Sequence, residues 1–145
     1  MASHGVNFDS VFTAILSDIE AKVSQGLPAP TEAHLTALLS LFDKNQLPNA
    51  LKLIDQGAVK CFVGEKSHRT VFQVASATKH GHQDTYTVLP GHFCTCHAFQ
   101  WSVASRAEQH CCKHQLGARL AHALGRSNRS VVPDDVIFRV LMSGV

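Results

Sequence analysis

Two short runs could do chemistry. Cys94-Thr95-Cys96 is followed, after fifteen residues, by Cys112-Lys113-His114. Together they offer three thiols and one imidazole in two tight pairs. Zinc takes four such donors at tetrahedral corners, with bonds of about 2.3 Å to sulfur and about 2.0 Å to nitrogen. Three thiolates and one imidazole fill every corner. A site built on Cys94, Cys96, Cys112 and His114 is therefore closed and structural, whereas a catalytic zinc keeps a position open. The competing readings are a disulfide pair, or cysteines that merely pack as small apolar side chains.

Neighbouring residues leave alternatives. Cys111 adjoins Cys112. His110 and His114 are four apart and could share a helix face, as metal-binding histidines do. His80, His82, His92, His97 and His122 also crowd the region and read mostly as surface or hydrogen-bonded residues. Cys61 sits in the middle of an apolar strand and reads as a buried small side chain.

The chain has 145 residues, 45% hydrophobic and 17% charged, enough for one modest core. No apolar run approaches the roughly 20 residues of a membrane helix. Met1-Ala2-Ser3-His4-Gly5 carries no basic region before an apolar block, so no secretory signal is expected. A reducing compartment follows, where cysteines serve metals more often than disulfides. The odd count of five cysteines points the same way. Net charge is +2, divided as −3 over residues 1–57, +2 over 58–93 and +3 over 94–145. That basic lean permits nucleic-acid contact without requiring it. Lys113 and Arg119 are the cations expected to face DNA.

No enzyme is expected. A nucleophilic cysteine needs a base and an orienting group, and the best-placed candidates are committed to metal. The chain has no G-x-x-x-x-G-K-[ST] phosphate loop and no H-E-x-x-H metalloprotease helix.

The elements that must position these donors are legible from periodicity. Phe8, Val11, Phe12, Ile15, Leu16, Ile19 and Val23 recur at helical spacing, with Asn7 or Asp9 as cap and Gly26-Leu27-Pro28 as terminator. Thr31 caps a second helix with a Leu35, Leu38, Leu39, Phe42 stripe. Pro48 opens a third, running to Asp55, with Leu51, Leu53 and Ile54 inward and Gly57 closing it. Val59–Val63 and Thr70–Val74 read as a β-hairpin around Gly64–His68. Ser76–Gln83 reads as a loop, Thr85–Leu89 as a third strand, and Pro90-Gly91 as a turn. His92–Cys96 reads as a fourth strand, delivering the first ligand pair at its end. Ala98–Val103 looks helical and Ser105–Gln109 looped. A helix from Cys112 to Leu124 carries the second pair at its start, closed by Gly125. Arg126–Ser130 reads as a polar linker to a last helix with Pro133, Asp134 and Asp135 in its first turn. The expected class is α+β: N-terminal helices (1–57), a small antiparallel sheet with the finger (58–125, finger core 92–125), and a C-terminal linker and helix (126–145).

The pattern Cys-x-Cys, loop, Cys-x-His resembles the SWIM zinc finger, and that match selects Cys112 over Cys111. The continuation Cys94-Thr95-Cys96-His97-Ala98-Phe99, the gap and the preceding Val71-Phe72-Gln73-Val74 are similar to the SWIM-domain subunit of the Shu complex, the SWIM zinc finger domain-containing protein 7 family. His97 departs from the proline expected there. The N-terminal helices match in layout only. The resemblance implies one structural zinc on Cys94, Cys96, Cys112 and His114, and a nuclear role in homologous recombination repair. It also implies pairing with a RecA-like recombinase paralogue, a separate chain, to promote recombinase filament assembly on single-stranded DNA. The alternative is a free-standing nucleic-acid-binding finger. A ubiquitin-pathway adaptor is a weaker third reading, since no ligase domain lies alongside.

Overall fold

The computed structural model describes residues 7–77, 83–89, 92–96, 99 and 111–143. Three helices come first: α1 (Phe8–Ser24), α2 (Glu32–Leu41) and α3 (Gln46–Asp55). Asn7 caps α1 by accepting the Asp9 N–H at 2.8 Å. Gly26 then takes a left-handed φ of 73°, which only glycine adopts without strain, and the helix stops. Thr31 caps α2, as its hydroxyl invites. Leu38 and Phe42 of the expected α2 stripe are buried, but Leu39 is 51% exposed. His34 takes the inward place instead. Its Nδ1 accepts the Thr31 N–H at 2.9 Å, and its Nε2 lies 2.5 Å from the Asp18 carboxylate on α1. With Nδ1 used as acceptor, the ring proton sits on Nε2 and is donated to Asp18. In α3, Leu47, Ala50, Leu53 and Ile54 face inward and Leu51 is half-buried.

Next come β1 (Val59–Gly64), β2 (Thr70–Ala77), β3 (Gln83–Leu89) and β4 (Phe93–Cys94), followed by α4 (Lys113–Leu124), β5 (Asn128–Val132) and α5 (Asp134–Ser143). Ser76, Ala77 and Gln83, read above as loop, extend strands β2 and β3. The fourth strand is only two residues long. The larger correction is Arg126–Ser130. Its Asn128–Ser130 part is not linker but the start of β5, which pairs parallel to β1 with Cys61 opposite Arg129 and Val63 opposite Val131. The sheet is therefore mixed, in the order β4-β3-β2-β1-β5. The α+β class stands. The Pro90-Gly91 turn, the Ala98–Val103 helix (Phe99 apart) and the Ser105–Gln109 loop lie outside the described residues.

Side chains alternate across a strand, and this assigns the layers. Val59, Cys61 and Val63 of β1 join one core cluster with Phe12 and Ile19 of α1, Leu53 of α3 and Leu116 and Leu120 of α4. Gly64 presents the other face, where a Cβ would meet Ile137 of α5 at 3.5 Å. Helices α1–α4 thus cover one side and α5 the other. Leu116 is completely buried against this core. Burying a leucine there contributes about 1.5–3 kcal/mol.

Candidate metal centre

The first donor pair arrives at the sheet edge. Cys94 lies opposite Val88 in the antiparallel β3–β4 register, so its side chain enters the core face. Thr95 locks the turn that follows. Its N–H donates to the Thr87 carbonyl at 3.2 Å, and its hydroxyl accepts the Thr87 N–H at 3.1 Å. Two residues on, Cys96 points back to the same place, and its sulfur accepts the Phe99 N–H at 3.3 Å.

The second pair arrives at the start of α4. Cys112 is the N-cap, with extended φ −86° and ψ 170°. Its sulfur accepts the Gln115 N–H at 3.4 Å, and Gln115 Oε1 accepts the Cys112 N–H at 3.0 Å. This is a capping box with cysteine where serine usually stands. His114 follows in the first helical turn, its imidazole against the ring of Tyr86 from β3.

All four residues are buried, and their donor atoms lie within 4.8 Å of one another. A tetrahedral ion with bonds of about 2.0–2.3 Å sets its donors roughly 3.5–3.8 Å apart. His114 Nδ1 and Cys94 Sγ stand at 3.9 Å. His114 Nε2 is buried without any hydrogen-bond partner. Leaving a polar atom so costs about 1–3 kcal/mol, a cost a bound metal would relieve; among the described residues neither imidazole nitrogen is held by an oxygen. Soft sulfur, borderline nitrogen, closed geometry and burial together fit zinc in a structural role.

The electrostatics of the cluster follow from its crowding. Cys96 is held far below the usual thiol range, chiefly by hydrogen bonds from Cys112 and then Cys94. Cys94 is pushed far up by the same sharing with Cys112 and Cys96. Thiols crowded in this way give up their protons when a metal binds. Cys111 differs. Burial pushes its thiol up to about 12, and it packs into the core as an inert neutral group. Cys61 is buried too, its thiol raised by desolvation. No disulfide links any of the five cysteines.

The structure therefore brings together Cys94, Cys96, Cys112 and His114, leaving Cys111 and Cys61 apart. His80, His82, His97 and His110 lie outside the described residues. Arg119 lies against α1. Its guanidinium carbon lies 4.4 Å from the centroid of the Phe12 ring and its Nη1 3.9 Å from the Asp9 carboxylate, with 19% of the side chain exposed. Sequence reasoning missed Tyr86 and Gln115 as neighbours of the site. Gln115 had a signal: a glutamine three residues after a potential N-cap marks a capping box.

A zebrafish (Danio rerio) zinc finger SWIM domain-containing protein 7 is 33% identical over 138 residues, which cover 94% of each chain. This chain belongs to the zinc finger SWIM domain-containing protein 7 family. The human member is 29% identical over 134 residues, covering 92% of this chain and 91% of its own. The mouse member is 30% identical over 138 residues, covering 94% and 86%. No family model matches the chain, and no solved structure does. The zinc-finger family name and the buried Cys3His cluster together suggest zinc binding.

Proposed function

We propose that this protein is a non-enzymatic scaffold subunit of a Shu-type complex. In this reading Cys94, Cys96, Cys112 and His114 hold one structural zinc. The chain pairs with a RecA-like recombinase paralogue in the nucleus and promotes recombinase filament assembly on single-stranded DNA in homologous recombination repair. The observation that carries the reading is the placement of the Cys3His cluster, which spans a sheet edge and the start of α4 in a member of this family. An ion there ties two elements that are distant in sequence and fixes the shape of the surface around them. All four donors are committed, which leaves no open position for a reacting group. The sequence lacks a nucleotide-binding loop, so any ATP-dependent step falls to the partner chain. Phe138 and Met142 on α5, 63% and 53% exposed, supply apolar surface that a partner could cover.

The test is co-expression with the RecA-like ATPase paralogue of the same organism. The expected result is a soluble stoichiometric pair, lost with Cys96→Ala or His114→Ala. A soluble monomer that ignores the ATPase and binds DNA with a steep salt dependence would favour the free-standing finger instead.

A further inference from the structure

One peptide group beside the metal cluster is gripped at both ends. The N–H of Cys112 donates to Gln115 Oε1 at 3.0 Å. The carbonyl of the same peptide belongs to Cys111, and it accepts from Gln46 Nε2 at 2.6 Å. Gln46 is the first residue of α3, 65 positions earlier in the chain. Its own side-chain oxygen faces the N–H of Asp43 at 3.4 Å. The two glutamines come from different helices, α3 and α4, and hold opposite edges of the Cys111–Cys112 plane.

A trans peptide is rigid, so fixing its C=O and N–H directions fixes the whole plane. The plane in turn sets the φ rotation at Cys112 and hence where its Cβ and sulfur point. Gln115 alone would leave the plane free to rock about its N–H, and Gln46 removes that freedom from the other side.

We infer that Gln46 is a positioning residue for the metal centre, aiming the Cys112 sulfur at the ion through the Cys111 carbonyl. The inference rests on the zinc reading above and adds a role for the N-terminal helices in it. Helix α3 carries no ligand, yet it reaches the cluster through one amide. Partners that orient ligands commonly change metal affinity by about 10–100-fold when removed. Gln46 is matched to its task, since it must donate to a carbonyl. Glutamate of the same length would set an acceptor against an acceptor, while lysine keeps a donor.

The experiment measures zinc affinity of the full chain by chelator competition, and the cobalt-substituted absorption spectrum, for wild type, Gln46→Glu, Gln46→Lys and Gln46→Ala. The expected result is about a tenfold or greater loss of affinity and broadened cobalt bands in Gln46→Glu and Gln46→Ala, with Gln46→Lys near wild type. Should Gln46→Ala fail to fold, the Glu and Lys variants still decide. Equal affinity in Gln46→Glu and wild type would overturn the inference. So would an equal loss in Glu and Lys, which would mean packing alone. If wild type itself holds no zinc, or holds it independently of Cys96, the zinc reading has failed first, and the inference falls with it.

Discussion

The ring of Tyr86 lies on the imidazole of His114, with centroids 4.4 Å apart and planes inclined by 33°. The stack sets the rotation of a ring that no oxygen of the described residues holds. Tyr86→Phe keeps the stack and should bind zinc as the wild type does. Tyr86→Ala removes it and should weaken zinc about tenfold. Chelator competition on the two variants checks this, and equal affinity in both would remove Tyr86 from the account.

Cys96→Ala and His114→Ala should each abolish stoichiometric zinc. Structural zinc contributes on the order of 10 kcal/mol or more to folding, so both variants should also lose the finger's fold. Elemental analysis and circular dichroism read the two effects. Cys61→Ser lies across the core and should retain the metal. A strong chelator should reproduce the Cys96→Ala phenotype in the wild type.

Leu38 and Leu39 are neighbours with opposite fates. Leu38 is completely buried and Leu39 is 51% exposed. Leu38→Ala should cost about 2–5 kcal/mol, and Leu39→Ala within about 0.5 kcal/mol of nothing. Urea unfolding of the pair tests the rotation of α2. Similar losses would show that the helix sits differently.

Asp134 joins the β1–β2 turn to α5. Its Oδ1 accepts from the Ser67 N–H at 3.2 Å and the Ser67 hydroxyl at 2.8 Å. Those bonds, the hydroxyl first, hold its carboxyl below the usual range. A depressed folded pKa means the contribution is present above the unfolded pKa and lost as pH falls through the folded one. The protection of the Ser67 amide, taken relative to its intrinsic exchange rate, should therefore fall on acidification below about pH 4. In Asp134→Asn that pH step should vanish. Gly64→Ala should disturb the same joint, since its Cβ would stand 2.5 Å from the Ser67 hydroxyl.

The four donors were legible because zinc chemistry restricts residue type and local spacing so tightly. The helices were legible from their apolar period and caps, as Asn7, Thr31 and Gly125 illustrate. Strand β5 was not. Four of its five residues are exposed, and it pairs with β1 across nearly half the chain. A strand solvated on both faces shows no period-two pattern, and no local signal announces a parallel partner. His34 was missed for a related reason. A histidine inside a leucine stripe looks like surface until the Asp18 carboxylate beside it is known. Gln46 carries no motif at all, since its partner is a backbone carbonyl.

The parallel pairing of Cys61 with Arg129 has a consequence for biosynthesis. Until residues 128–132 have left the ribosome, one flank of β1 offers a row of unsatisfied amides to any passing extended chain. Partner or chaperone capture during translation would shield that flank, and a stop codon placed just after Leu124 should leave a product that self-associates.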